Sequence, residues 1–182
     1  DLKHLRALVR RLTDLQANYR QEGNRLTSGE KDDWVIRDIS VHLEYLKASI
    51  EATEAEIQNF TNQTPGLKAK QELLVSIPGV GKKTSARLLA EIGEINRFEN
   101  APQLAAYAGL NPKGFSSGSS VHKKTRISKQ GRSELRACLY MPAIVAMTHN
   151  PVVRALKERL QKKQLPTMAI IAACMRKLLH IV

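Results

Sequence analysis

Residues 73–93 read LLVSIPGVGKKTSARLLAEIG, and this stretch decides the fold class. An apolar helix end runs into Pro78-Gly79-Val80-Gly81. A second helical pattern follows, with Ala86, Leu89, Ala90 and Ile92 on its buried side. Proline cannot extend the first helix and glycine supplies the turn, so two helices joined by a tight connection are expected. The small residues Thr84, Ser85 and Ala86 allow close approach of another helix. A Walker loop is excluded, because the first glycine is missing at the required distance and no strand pattern precedes the turn.

Toward the N-terminus the pattern stays helical. Leu5, Leu8, Leu12, Leu15 and Tyr19 recur at spacings of three and four. So do Ile36, Ile39, Leu43, Leu46, Ile50, Thr53, Ile57 and Phe60. EGNRLTSGEKDD between them reads as a turn, which predicts an antiparallel pair of long helices. Such a pair can pack on itself or serve as a dimerising coiled coil. NQTPG (62–66) ends the second helix, Pro65 as breaker and Gly66 as a residue free to take positive φ. Domain boundaries follow, a helical connector over 1–66 and a compact helical domain over 67–182. The sequence starts at Asp1 inside a helical pattern and stops at LLHIV without a cap, as expected of a piece of a longer chain.

Toward the C-terminus, Asn100 and Pro102 open a helix over PQLAAYAG that stops at Gly109. Residues 109–136, GLNPKGFSSGSSVHKKTRISKQGRSELR, then carry seven basic side chains and one acid, Glu134. No periodicity is visible there before Gly131, so an irregular, mobile loop is expected, within which a short β-hairpin at 113–128 is allowed. Serine hydroxyls, a glycine and a cluster of cations suit phosphate. A helix from about Gly131 to Thr148 should carry Leu135, Cys138, Leu139, Ile144 and Val145 inward. Asn150-Pro151 caps a helix to about Lys163 with a basic face of Arg154, Lys157, Arg159, Lys162 and Lys163. Pro166 opens a last, mostly apolar helix whose Met168 and Met175 are packing residues. The fold class is all-α.

Charge is divided unevenly. Residues 1–72 hold 11 Lys+Arg against 12 Asp+Glu; the remaining residues hold 18 against 5. The basic part calls for a polyanion, most simply nucleic acid. Aromatic residues make up only 4%, so phosphate contacts are expected to outweigh base stacking. The turn at 78–81 resembles a helix-hairpin-helix element, in which Gly79 and Gly81 open a helix N-terminus to a DNA phosphate and Lys82 and Lys83 add charge. Cys138 and Cys174 lie in apolar helical patterns without CxxC spacing, and with the five histidines they make no zinc set. No apolar run approaches a membrane span, and no leader pattern is visible, so a cytoplasmic protein is expected.

From Leu73 onward the order IPGVG, LAAYAGLNP, SSG, RISKQGRSELR and HNPVVRAL resembles the C-terminal transposase domain of the bridge-RNA-guided insertion-sequence recombinases. That family includes the Piv-type DNA invertases. Residues 1–72 resemble the helical connector that follows the family's RuvC-like domain, whose DEDD carboxylates are absent here. The resemblance implies cutting and rejoining of DNA strands through a serine nucleophile. Ser117 is the matching position, with the adjacent Ser116 competing for it. Arg126 and Lys129 are the implied catalytic cations; Lys123, Lys124 and Arg132 join Lys82 and Lys83 as nucleic-acid contacts. No general base is evident, His122 being followed by two lysines and so read as solvated. The resemblance further implies DNA and a guide RNA as partners, assembly as a homo-oligomer near the nucleoid of a prokaryote, and Mg²⁺ held by the RuvC-like domain. No cofactor is expected in this part of the protein.

Overall fold

The computed structural model describes the backbone of residues 1–117 and 121–182, and the side chains of residues 1–114 and 126–182. The chain divides into two compact units, 1–69 and 70–182. Eight α-helices and one two-stranded ribbon form the described residues, an all-α class.

The first unit is the expected antiparallel pair. Helices α1 (Leu2–Thr27) and α2 (Asp33–Gln63) pack against each other. Asp32 starts α2 by accepting hydrogen bonds from the amides of Trp34 and Val35. The α1 seam is Leu5, Val9, Leu12 and Leu15. Val9 replaces the expected Leu8, and Tyr19 is 38% exposed, as suits a ring whose hydroxyl keeps to water. On α2, Ile39, Leu46 and Ile57 are buried as expected. Buried Thr61 returns its hydroxyl to the Ile57 carbonyl at 2.7 Å. Pro65 ends α2 and at once begins α3 (Pro65–Val75), so Gly66 lies inside a helix and takes no positive φ.

In the second unit α4 (Lys82–Ile92) follows a turn over 76–81. Val80, buried under that turn, donates its amide to the Ile77 carbonyl. Gln71, buried on α3, donates its side-chain amide to the carbonyl of Lys82 at 3.3 Å and so ties the two helices across the turn. The expected face of α4 is buried: Ala86, Leu89, Ala90 and Ile92, joined by Ser85, Leu88 and Glu91.

A 3-10 turn (Ile95–Arg97) leads to α5 (Ala101–Tyr107), capped by Asn100, which accepts from the amide of Gln103. Gly109, at φ +70, ends this segment as expected. Helix α6 (Ser133–His149) packs against α4, α7 (Pro151–Lys162) and α8 (Thr167–Leu179). Its buried residues are Leu135, Leu139, Pro142, Ala143, Ala146 and Met147. Val145 faces outward instead, 42% exposed, because the face that meets α4 and its turn is built of small residues. Asn150 caps α7, accepting from the amides of Val152 and Val153. Met168 is 63% exposed, since it precedes the buried series of α8 that starts at Ile170, whereas Met175 is buried. The two cysteines are free. Burial pushes the Cys138 thiol up to about 12, with Arg87 opposing and Glu91 adding to the rise.

Candidate nucleic-acid interface

The two glycines of the 78–81 turn have different surroundings. Gly79 sits at φ +106 against α6, where an added Cβ would lie 2.8 Å from the Ala146 Cβ and 2.9 Å from the Pro142 carbonyl oxygen. It is a packing glycine. Gly81 is the N-cap of α4 and opens to space, with nothing within 4 Å of an added Cβ. The Gly81 N-cap brings no side-chain cap to α4, and the positive end of the helix dipole lies beside exposed Lys82 and Lys83. An anion suits such a helix end.

The stretch expected to be an irregular loop with a β-hairpin allowed at 113–128 does form an antiparallel ribbon, β1 (Pro112–Ser117) paired with β2 (Val121–Ile127). Backbone pairing supplies the order here, since VHKKTRI has no apolar alternation to announce a strand. The register sets Pro112 opposite Ile127, Lys113 opposite Arg126, Phe115 opposite Lys123, Ser116 opposite His122 and Ser117 opposite Val121. Between the second and third of these pairs lies a bulge, where Lys124 and Thr125 stand against Gly114 alone. Lys113 and Arg126 are exposed. Like charges set directly opposite each other make a local concentration of positive charge on the ribbon. Gly118, Ser119 and Ser120 lie outside the described residues, as do the side chains of Ser116, Ser117, His122, Lys123 and Lys124.

The base of the ribbon is laced to the end of α5. Ser128 donates its amide to Asn111 at 2.8 Å, Lys129 to Gly109 at 3.1 Å and Arg132 to Tyr107 at 2.9 Å. Lys129 takes φ +56, a left-handed conformation, and is exposed. Gly131, at φ +150, passes so close to the Tyr107 carbonyl that a Cβ there would overlap it. Arg136 donates from Nη1 to the carbonyls of Ala108 (3.0 Å) and Gly131 (3.3 Å).

Arg132, expected to contact nucleic acid, is half-buried and reaches a carboxylate. Its Nε lies 3.6 Å from Oε2 of Glu91, which is 4% exposed, and its guanidinium sits 5.8 Å from the Tyr107 ring centre. Arg97 stacks on the same ring at 4.5 Å and on Phe98 at 4.7 Å. Gly81 and Glu91 stand at opposite ends of α4, about 15 Å apart along a helix rising 1.5 Å per residue. The structure thus brings Lys113 and Arg126 to one ribbon, with Lys129 just past its exit, and leaves Lys82 and Lys83 at the far end of α4. Sequence reading missed Glu91, Tyr107, Arg97 and Arg136; only the bracketing glycines 109 and 131 hint at this close packing.

Comparison with known proteins bears on the same residues. The model of the Transposase IS116/IS110/IS902 family matches residues 71–158. The pilin gene-inverting protein of Moraxella bovis is 42% identical over 134 residues, 73% of this chain. The matched segment is a transposase domain of this family. Its match covers the α4 turn, the ribbon and α6. The pilin gene-inverting protein of Moraxella lacunata shares the same 42% identity. The IS110 43.6 kDa protein of Streptomyces coelicolor is 32% identical over 127 residues, 70% of this chain. This chain spans 42% of the Moraxella proteins' length and 30% of the Streptomyces protein's.

Among the described residues no three His, Cys, Asp or Glu side chains stand together as a metal site, so nothing described here fits the Mg²⁺ that the resemblance implies. Among them, too, no helix is long and apolar enough to cross a membrane.

Proposed function

We propose that this chain is the DNA-binding, serine-bearing part of a transposase or site-specific recombinase that cuts and rejoins DNA strands. Similarity to transposases and to pilin gene-inverting proteins supports the reaction class. The observation that carries the residue assignment is the ribbon's register. Strand positions alternate between faces, and paired positions share one. Positions 113, 115 and 117 of β1 therefore belong with 121, 123 and 126 of β2; the bulge returns 123 and 126, three apart, to the same side. Position 117 shares a face with three cation positions, Lys113, Lys123 and Arg126. Position 116 lies on the other face, with His122.

In this reading the Ser117 hydroxyl attacks a DNA phosphorus. A serine–phosphodiester forms as the strand's own oxygen leaves with a proton, and a second strand end reverses the step. Arg126 and Lys129 carry the charge on the non-bridging oxygens. Lys123, Lys124, Lys82 and Lys83, with the α4 N-terminus at Gly81, hold flanking backbone in the manner of a helix-hairpin-helix element. The metal carboxylates belong to a RuvC-like domain of a longer protein, and a guide RNA and further protomers complete the assembly.

The test uses the protein that carries this chain, with guide RNA, Mg²⁺ and a nicked DNA that traps covalent intermediates. A protein–DNA adduct on a denaturing gel, lost with Ser117→Ala and kept with Ser116→Ala, is the expected result. The reverse pattern moves the nucleophile to Ser116. Duplex binding without any adduct in the parent protein overturns the serine mechanism, and leaves a backbone-gripping module built on α4.

A further inference from the structure

Glu91 is the buried carboxylate that the proposed reaction does not use. Its Oε2 and the Nε of Arg132 are both buried, and neither has a hydrogen-bond partner. They lie 3.6 Å apart across the junction of α4 and the ribbon's exit. Arg132 is also the N-cap of α6, the residue whose amide is donated to Tyr107, and its guanidinium flanks the Tyr107 ring. An arginine so held, with its charge turned to a buried carboxylate, is poorly placed to neutralise a phosphate as well.

We infer that Glu91 and Arg132 are positioning residues. They fix the ribbon's exit strand against the end of α5 and thereby set where Lys129 and Arg126 stand. Three backbone bonds, from the amides of Ser128, Lys129 and Arg132, carry the ribbon's base. All three lie within four residues of the arginine, which Glu91 ties to α4. The importance of this placement for catalysis rests on the strand-joining reading above; the placement itself does not.

The test therefore needs no recombination. In the chain as it stands, Glu91→Gln, Arg132→Gln and the double variant are compared with Arg126→Gln by amide hydrogen exchange and by the salt dependence of duplex DNA binding. Both single variants should speed exchange at Ser128, Lys129 and Arg132 by about tenfold, roughly the loss of one charge-assisted contact in a local opening. Amides of α8 should exchange as in the parent, and the double variant should be no worse than either single. The salt slope should stay at the parent value in Glu91→Gln and Arg132→Gln. It should fall by about 0.9 in Arg126→Gln, one phosphate's worth.

A slope lowered by about 0.9 in Arg132→Gln, with the three amides unchanged, overturns the inference, as does parent-like exchange in Glu91→Gln. Should Arg132→Gln loosen α8 as well, Arg132→Lys decides the matter. It keeps a charge facing Glu91, so partial recovery of protection is expected, and an intact α8 with no recovery at the three amides refutes the pairing.

Discussion

Replacing Gly79 with alanine tests whether this glycine serves packing or nucleic acid. Its φ of +106 is one that a Cβ makes costly, about 1–2 kcal/mol. The new methyl would also stand 2.8 Å from the Ala146 Cβ, 2.9 Å from the Pro142 carbonyl and 3.0 Å from the Ala146 amide nitrogen. Comfortable carbon contacts lie near 3.5–4.0 Å, so the turn must retreat from α6 by roughly half an ångström or more. Two of those three neighbours are helix backbone and cannot swing aside. Overpacking of this kind costs about 1–3 kcal/mol. Together the terms give roughly 2–5 kcal/mol, a large part of the about 5–15 kcal/mol that holds a typical domain folded. Gly81→Ala is the matched control. It meets nothing and lies at φ −92, so the loss should stay below about 1 kcal/mol, the ordinary penalty of alanine at an N-cap. Urea denaturation followed by circular dichroism, with midpoints compared at unchanged slope, measures both. A Gly79→Ala chain as stable as Gly81→Ala would refute the packing argument. The DNA effect should run the other way at equal folded fraction, with any weakening larger in Gly81→Ala.

Three further outcomes are expected. Asn150→Ala removes the cap from α7 at a buried position that satisfies two amides, and should cost about 1–2 kcal/mol in the same urea assay. Asn100→Ala, where the cap satisfies one exposed amide, should cost less. Cys138 binds its proton more tightly when folded, so its contribution to stability is complete below the usual 9.0 and is lost as pH rises toward about 12. Across that window the parent should lose up to about 1.4 kcal/mol per pH unit more than Cys138→Ala. Equal pH slopes would remove burial as the cause. Gly131→Ala should destabilise as Gly79→Ala does, because its Cβ would overlap the Tyr107 carbonyl; a near-neutral result by thermal melting would show that this crossing is looser than drawn.

What could be read in advance follows from which forces leave a local signature. The α4 face was legible because Ala86, Leu89, Ala90 and Ile92 repeat at helical spacing, and Asn100 and Asn150 because caps are one-residue signals. On α6 the larger apolar residue Val145 was a natural choice for the core. The helix instead buries Ala143 and Ala146, because the turn at Gly79 comes too close for anything bigger. The ribbon was allowed within 113–128 but left only a faint trace, since strand pairing there is a backbone affair and VHKKTRI is polar at nearly every position. Least legible was the link from Glu91 to Arg132. The two lie far apart in sequence, each looks like an ordinary surface charge, and only the fold makes them neighbours.

Lys129 carries one last consequence. It occupies a left-handed conformation that an L side chain enters at about 1 kcal/mol or more, where glycine would be at ease. A glycine there would relieve the strain, with part of the gain offset by a freer unfolded chain. Folding thus exerts no hold on a lysine at this position; only its charge can. A laboratory selection run on thermal stability alone is expected to drift toward glycine or asparagine at 129, and to return hardier proteins that grip nucleic acid less well. Coupling that selection to DNA binding should bring the lysine back.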